Sequence, residues 1–288
     1  MERPGLCLLN GRLVAEEEAR VAALDRGLLY ADGLFETLRV YGGRPFALRE
    51  HWERLRASCR ALGMPLPPPD PAGLLRPLIE ASGLGHGVIR ITWTRGPEPR
   101  GPRPGPSPRP TLLAQVRPLP PDLGERQEAG VGARRLPWPL RARGLPLQGH
   151  KTLAYLPSVL ALGRVPAGTE PLLETTEGHL SEGATANLFW VQRGRLFTPH
   201  PDAGCLPGIA RALAMELAGA VGLPVEEGLF PAADLAGADE AFLTSSVIEV
   251  TPLVEVDGRP VGTGRPGPWT RRLQQAYRRR VREALGQP

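Results

Sequence analysis

The chain of 288 residues almost entirely lacks lysine. Lys151 is the only lysine among its 35 Lys and Arg residues. Arginine can replace lysine wherever a solvated positive charge is enough, but a guanidinium stays protonated and cannot condense with an aldehyde. A single retained lysine therefore indicates a position where the amine itself reacts. The alternative is that one ordinary surface lysine survived by chance, and composition alone leaves both open.

Long apolar runs and paired cysteines are also missing. No stretch approaches the ~20 apolar residues of a membrane span, and the first residues lack a signal-peptide pattern, so we expect no membrane partner. Cys7, Cys59 and Cys205 are scattered without metal-ligand spacing, which fits a reducing cytoplasm. The five histidines show no paired ligand spacing either, so no metal site is expected.

The positive net charge makes nucleic-acid binding a function to be considered. The formal net charge is +5 and the sequence pI about 9.6, values that nucleic-acid-binding proteins share. However, the 30 acidic residues are interspersed with the arginines, as in residues 50–54, and aromatics make up only 5%. That is too few for an obvious base-stacking platform. A basic nucleic-acid-binding protein is therefore the disfavoured, non-enzyme alternative, and we expect no nucleic-acid partner.

Hydrophobic periodicity and turn residues predict a mixture of strands and helices. Hairpins are expected at Asn10-Gly11 and, within 187–198, at Arg193-Gly194. Further strands are expected at 34–41, 88–94, 111–116 and from 241, and helices at 48–62, 209–220 and 268–285. A loop rich in Pro, Gly and Arg covers 95–110. Because strands and helices do not alternate regularly, the pattern favours an α+β fold.

Composition also suggests where domains meet. The stretch 117–127 contains three prolines and separates strand-rich sequence from the region around Lys151. We expect a small N-terminal domain at 1–116, a linker at 117–127 and a larger C-terminal domain at 128–288.

Five spaced segments resemble one enzyme family in order along the chain. They are DRGLLYADGLFETLRVYGGRPFALREHWERL from Asp25, QGHKTLAYLPSVLAL from Gln148, LSEGATANLFWV from Leu180, CLPGIARALA from Cys205 and the segment beginning FLTSSVIEVTPLVEVDG at Phe242. Together they resemble the class IV aminotransferases, which are fold-type IV pyridoxal-phosphate enzymes. The resemblance implies two α+β domains with the cofactor site between them, a homodimer, and a small substrate with amine and carboxylate groups.

The resemblance also assigns roles toward pyridoxal 5′-phosphate. Lys151 occupies the position of the lysine that joins the cofactor as a Schiff base. Glu182 matches the carboxylate that holds the pyridine nitrogen, and Arg54 matches the arginine that binds the phosphate. Tyr155, after a one-residue shift, lies near a tyrosine that contacts the cofactor's phenolic oxygen.

A further group of residues matches the family's phosphate cradle. Gly208, Ile209 and Ala210 correspond to the turn whose backbone N–H groups surround the phosphate at a helix N-terminus. The family often has threonine where this chain has Ala210, so one hydroxyl contact is expected to be missing. Ser246 corresponds to a hydroxyl that can still reach the phosphate.

The same resemblance leaves the reaction open, because the family contains branched-chain and D-amino-acid aminotransferases and aminodeoxychorismate lyases. The loop that begins Thr94-Arg95-Gly96 matches the D-amino-acid enzymes, but Gly101-Pro102 stands where they have Asn-His. Residues 31–37 are closer to the lyase, which converts 4-amino-4-deoxychorismate to 4-aminobenzoate and pyruvate on the route to folate.

We therefore expect the lyase, with an aminotransferase as the alternative. The lyase substrate carries two carboxylates, for which Arg100 together with Arg90 or Arg95 are the candidate ligands. Arg90 also matches an arginine of the branched-chain enzymes, which keeps that alternative open.

Overall fold

The computed structural model describes residues 5–98, 101–105, 108–136, 138, 141, 144–145 and 147–286. The chain divides into two compact units. The first consists of Met1–Leu119 with His150–Ala154, and the second of Pro120–Gly149 with Tyr155–Pro288. Each unit contains a β-sheet and helices, so the α+β class expected from the sequence is confirmed.

An antiparallel sheet forms the first unit. Its elements are β1 (Leu6–Leu9), β2 (Arg12–Ala15), α1 (Arg26–Tyr30), β3 (Gly33–Tyr41), β4 (Arg44–Pro45), α2 (Leu48–Ala61), α3 (Pro71–Ser82), β5 (His86–Thr94) and β6 (Thr111–Arg117). The six strands lie in the order β2-β1-β6-β5-β3-β4. Hairpin β1–β2 turns at Asn10 and Gly11 with φ of 50° and 82°, the positive values that a type I′ turn needs. This hairpin was predicted.

Strand β3 shows how the two faces of this sheet differ. Successive side chains of a strand point to opposite faces. Leu34, Leu38 and Val40 all belong to the apolar core with Trp52 and Leu55 of α2, so the even-numbered positions of β3 face α2. The odd-numbered positions face the opposite side of the sheet.

The short segment His150–Ala154 is an unpredicted part of the first unit. Thr152 pairs with Leu34 in an antiparallel bridge. The Phe35 N–H donates to the Lys151 carbonyl at 2.9 Å, and the Leu153 N–H donates to the Gly33 carbonyl at 3.0 Å. The sequence expectation placed Lys151 only within 128–288, because a five-residue return of the chain leaves no compositional trace.

A mixed sheet forms the second unit. Its elements are α4 (Leu123–Ala129), β7 (Val131–Arg135), α5 (Leu156–Leu162), β8 (Glu170–Glu174), β9 (Leu180–Gly183), β10 (Asn187–Gln192), β11 (Arg195–Pro199), α6 (Ile209–Ala220), β12 (Val225–Gly228), β13 (Glu240–Ser245), β14 (Glu249–Val256), β15 (Arg259–Pro260) and α7 (Pro268–Ala284). The strand order is β12-β11-β10-β13-β14-β7-β8-β9, with β15 beside β14. Helix α4 begins inside the stretch expected to be a linker.

The core of this unit lies against the central strands. Leu188 and Trp190 of β10 pack with Leu243 of β13. Helix α6 has the bounds predicted from the sequence, and α7, also predicted, buries Leu273, Tyr277 and Val281. Among the described residues, no helix is both long enough and apolar enough to cross a membrane. The described residues also contain no group of three His, Cys, Asp or Glu side chains placed to hold a metal ion.

Candidate active site

Lys151 lies over an aromatic ring of its own unit. Its Nζ atom is 4.3 Å from the centroid of the Phe35 ring, and the guanidinium carbon of Arg90 is 3.9 Å from the same centroid. Phe35 occupies an odd position of β3, and Arg90 stands on β5 opposite Thr37. The ring therefore brings together Lys151, the predicted Schiff-base lysine, and Arg90, one of the predicted substrate arginines. Phe35 was not singled out from the sequence, because an aromatic strand residue is ordinary core composition.

Arg54 belongs to a buried polar cluster between α2 and β3. Its Nε and Nη2 atoms donate to the two carboxylate oxygens of Glu36 at 2.8 and 2.7 Å, and His51 Nδ1 bonds the same carboxylate at 2.7 Å. Burial acts to raise the pKa of Glu36, but the Arg54 charge and the hydrogen bonds from both partners outweigh it and lower the pKa to about 2. Glu36 thus stays anionic and holds the guanidinium fork in one orientation.

Of the predicted substrate arginines, Arg95 is the one that the geometry favours least. It is 7% exposed, and its Nε donates to Asp32 at 2.8 Å. Its Nη1 and Nη2 donate to the carbonyls of Gly63 and Leu62 at 2.6 and 3.2 Å. Every nitrogen of the guanidinium is therefore engaged by the protein. Arg100 lies outside the described residues.

Glu182 is a buried carboxylate surrounded by donors within the second unit. Its Oε1 accepts from Arg141 Nη2 at 2.8 Å. Its Oε2 accepts from the Leu206 N–H at 3.0 Å and from Asn187 Nδ2 at 3.2 Å. These donors, from three different parts of the second unit, hold the carboxylate in one orientation. Sequence reasoning missed Arg141, since nothing distinguishes it from its many arginine neighbours.

Two weak acids near Glu182 have raised pKa values. Burial raises the pKa of Glu170 to about 7, and the nearby charge of Glu182 adds to this increase. The hydrogen bonds from Thr185 act to lower the pKa but do not outweigh burial. Burial and then the charges of Glu182 and Glu170 raise the pKa of Tyr155. The Tyr155 hydroxyl donates to the Ala184 carbonyl at 2.6 Å. Its contact with the cofactor's phenolic oxygen stays a prediction.

The N-terminus of α6 contains the predicted phosphate-binding residues Gly208, Ile209 and Ala210. Gly208 caps this 12-residue helix without any side-chain hydrogen bond, so the first-turn N–H groups at Ile209 and Ala210 have no capping side chain. A Cβ on Gly208 would lie 2.2 Å from Asn187 Oδ1. Only glycine therefore fits here beside Asn187. Backbone N–H groups and the helix dipole at such a terminus favour a phosphate.

Hydroxyl groups lie on the strand beside this cradle. Asn187 of β10 pairs with Thr244 of β13, and Ser246 follows two residues later in the turn to β14. The Thr244 hydroxyl is fully buried and has no hydrogen-bond partner among the described residues. A buried hydroxyl without a partner is rare. Thr244 is thus a further candidate donor that the sequence did not suggest.

The predicted site residues form separate clusters within each unit. In the first unit Lys151 and Arg90 lie on the Phe35 ring, at an odd position of β3, whereas Arg54 lies with Glu36, at an even position that faces α2. The second unit holds Glu182, Tyr155, Ser246 and the cradle at residues 208–210.

Comparison with known proteins gives concordant matches. The family model described as amino-transferase class IV matches residues 33–256. The chain is 32% identical to the D-alanine aminotransferase of Staphylococcus aureus, over 95% of this chain and 96% of that protein. The solved branched-chain amino acid aminotransferase of Escherichia coli superposes with a TM-score of 0.89 and 31% identity, over 97% of this chain and 95% of that one. The solved 4-amino-4-deoxychorismate lyase of Pseudomonas aeruginosa superposes with a TM-score of 0.80 and 33% identity, over 97% of this chain and 99% of that one.

Proposed function

Because the chain belongs to the class IV aminotransferases, we propose that it moves an amino group from an apolar amino acid to a 2-oxo acid, with Lys151 as the catalytic amine. Enzymes of this family depend on pyridoxal 5′-phosphate, which supplies an aldehyde that condenses with amines and a ring that withdraws electrons from the carbon beside the nitrogen. The position of Lys151 over the Phe35 ring is the observation that carries the proposal.

The residues present fit this cofactor. The α6 N-terminus offers backbone N–H groups without a side-chain cap, and Thr244 offers a buried hydroxyl that has no partner among the described residues. In our proposal these groups of the second unit, with Ser246, hold the phosphate. Arg54 of the first unit keeps the phosphate-binding role that the family resemblance gives it. Glu182, oriented by Arg141, Asn187 and the Leu206 N–H, would bind the ring nitrogen and hold a proton there.

Lys151 is the residue that we assign to proton transfer. A lysine amine, unlike a guanidinium, can give up its proton and react with an aldehyde. No other lysine exists in the chain to take its place. We propose that its Nζ would take up the proton of the substrate carbon that bears the amine and would then release it again.

Arg90 supports an amino acid as the substrate. Its guanidinium shares the Phe35 ring with Lys151, so a carboxylate paired with Arg90 would bring the attached amine close to Nζ. An amino acid with an apolar side chain is the choice that the similarity to branched-chain and D-alanine aminotransferases supports.

The lyase expected from the sequence remains a second candidate. Gly101-Pro102 departs from the D-amino-acid pattern, and the identity with the Pseudomonas aeruginosa lyase spans nearly the whole of both chains. Its substrate has two carboxylates, however, and Arg95, one of the three arginines proposed for them, is engaged by the protein. We therefore place transamination first.

Product analysis separates these reactions. An aminotransferase should lose the visible absorbance of its bound cofactor with leucine alone and recover it only after 2-oxoglutarate is added, with glutamate formed. D-alanine in place of leucine tests the D-amino-acid alternative. If 4-amino-4-deoxychorismate instead gives 4-aminobenzoate and pyruvate without any 2-oxo acid, while neither amino acid changes the absorbance, the lyase is correct and our first choice fails.

We further propose that the protein is a homodimer. In α5 of the second unit, Leu156, Val159 and Leu160 are each more than half exposed, and in α1 of the first unit Leu28 is 70% exposed beside Leu29 and Tyr30. Clustered apolar side chains of this kind mark interaction surfaces. A second copy is the partner that we propose. The family resemblance implies a homodimer, and α1 and α5 lie in two of the segments that carry this resemblance, 25–55 and 148–162.

A cytoplasmic location remains part of the proposal. Cys7, Cys59 and Cys205 are buried free thiols, and burial raises the pKa of each. Such thiols are suited to a reducing compartment, where no disulfide is needed.

A further inference from the structure

The catalytic lysine lies on a segment that is held from two sides. On its C-terminal side, Lys151 and Leu153 make main-chain hydrogen bonds to Phe35 and Gly33. On its N-terminal side, His150 Nδ1 and Ser58 Oγ of α2 are 2.9 Å apart in a hydrogen bond. Ser58 is 3% exposed, so this bond reaches into the packed interior of the first unit.

The alternation of side chains explains what the histidine contact achieves. Thr152 pairs with Leu34, and paired residues of neighbouring strands share a face. Leu34 faces α2, so Thr152 and, two residues earlier, His150 face α2 as well. Lys151 must then point to the opposite face, where Phe35 lies. The observed contacts of both side chains agree with this alternation.

A slip of the segment by one residue would reverse this arrangement. Every side chain would move to the other face, and the lysine would point toward α2 and the apolar core. Only one bridge pair joins the segment to β3, which is little to define a register. The Leu153 side chain also packs closely on Gly33, where a Cβ would lie 2.6 Å from it. A glycine is therefore needed opposite Leu153 in the observed register.

We infer that the hydrogen bond between Ser58 and His150 is a positioning device that fixes the face on which the Lys151 amine emerges. His150 and Ser58 are positioning residues and take no part in the chemistry. Helix α2 carries Arg54 one turn before Ser58, so the helix proposed to bind the cofactor phosphate also locates the lysine. This inference rests on the proposed function of Lys151.

Capture of the amine by the cofactor aldehyde tests the inference directly. The full-length protein, freed of cofactor, is mixed with pyridoxal phosphate and cyanoborohydride, and the rate of modification at Lys151 is followed by peptide mass spectrometry. The N-terminal amine is resolved as a separate peptide. Ser58→Ala and His150→Leu should each slow capture by about tenfold or more, the scale of effect that a small misplacement of a reacting group produces.

Matched variants separate positioning from general stability. His150→Asn retains a hydrogen-bonding atom near the Nδ1 position and should restore most of the rate. Ser82→Ala on α3 removes a serine whose hydroxyl bonds only the local carbonyl of Ile79 and the N–H of Leu84, so capture should match the parent. The double variant Ser58→Ala/His150→Leu should be no slower than the worse single variant, since both remove one bond.

Three outcomes decide the matter. Normal capture in both Ser58→Ala and His150→Leu, or equal rates in His150→Leu and His150→Asn, overturns the inference. A lower melting temperature with an unchanged capture rate also overturns it, because the bond would then be merely structural. If Ser58→Ala does not fold, the two His150 variants still decide. Failure of the parent protein to capture the cofactor at Lys151 contradicts the proposed function instead.

Discussion

At the scale of single residues, Lys151 combines a unique chemistry with a defined position. Its amine is the only lysine amine in the chain and lies 4.3 Å from the Phe35 ring centroid. An arginine there would keep the charge and the contact with the ring but could not condense with an aldehyde. Charge and reactivity can therefore be separated by substitution.

Lys151→Arg and Lys151→Ala should both lose activity by about 10³-fold or more, the contribution expected of a positioned proton-transfer group. Neither variant should gain mass at position 151 after treatment with pyridoxal phosphate and borohydride, whereas the parent should. Thermal unfolding serves as the control for folding. Substantial activity in the arginine variant would mean that the residue acts by charge alone.

Substitutions of Glu182 and Arg54 should have different effects, the first on turnover and the second on cofactor affinity. Glu182→Gln should reduce turnover by about 10²-fold with little change in cofactor affinity, since the ring proton is no longer held. Arg54→Ala should weaken cofactor binding by about 1.5–3 kcal/mol, the contribution of a charged hydrogen bond. Both affinities are measured by titrating the cofactor-free proteins.

Arg56→Ala is the matched control for Arg54. Arg56 lies on the same helix, but its Nη1 bonds the Pro67 carbonyl, so cofactor affinity should not change. Equal losses of affinity in the Glu182 and Arg54 variants would show that the two roles are wrongly assigned.

At the scale of elements, the contact between α2 and β3 contains an unusual charged cluster. Glu36 is 1% exposed and has a pKa of about 2 instead of its ordinary 4.5. A carboxyl group whose pKa is lowered by folding stabilises the native state above its unfolded pKa, and this contribution is lost as the pH falls toward the folded pKa.

The free energy of unfolding should therefore fall between about pH 4.5 and pH 2 through Glu36. Glu36→Gln should be less stable than the parent at pH 7 by about 3 kcal/mol, because Arg54 loses a buried partner. The difference between the two proteins should shrink as the pH approaches 2. Urea unfolding across this range measures it, and a constant difference would contradict the assigned pKa.

The N-terminus of α6 offers a second test at this scale. Gly208→Ala places a Cβ within 2.2 Å of Asn187 Oδ1, so Asn187 must move away from Glu182 and Leu206, which its Nδ2 contacts. Cofactor affinity should fall by at least about tenfold, the effect of one displaced charged contact. Fluorescence titration of the cofactor-free protein measures this.

Gly219→Ala in the last turn of α6 is the control. No atom lies within 4 Å of the added Cβ, so the substitution should leave cofactor affinity unchanged and stabilise the helix by about 0.5–1 kcal/mol. If Gly208→Ala binds the cofactor as tightly as this control does, the cradle is not the phosphate site.

At the scale of the whole molecule, the exposed apolar side chains of α5 allow the proposed homodimer to be tested. The protein should elute as a dimer in size-exclusion chromatography with light scattering. Leu156→Glu together with Leu160→Glu should shift it toward a monomer without unfolding it, since both side chains are already more than half exposed. Leu13→Glu on β2 is the exposed control and should leave the mass unchanged. A parent protein that is monomeric at micromolar concentration would contradict the dimer.

The sequence alone determined most local structure and the family. The Asn10-Gly11 turn, the hairpin at Arg193-Gly194 and the bounds of α6 follow from short-range preferences that do not depend on distant residues. The unique lysine was visible because amine chemistry cannot be replaced by arginine. Spaced motifs then identified the family, whose cofactor the comparisons support.

Only the tertiary structure decided which residues share a site within each unit. Phe35, Glu36 and Ser58 are unremarkable in the sequence, and they acquire a role because β3 and α2 bring them to Lys151, Arg54 and His150. Arg141 likewise meets Glu182 across 41 positions of the chain. Neither composition nor periodicity encodes such pairs, since both describe neighbours along the chain, whereas burial and hydrogen bonding join residues that are far apart in it.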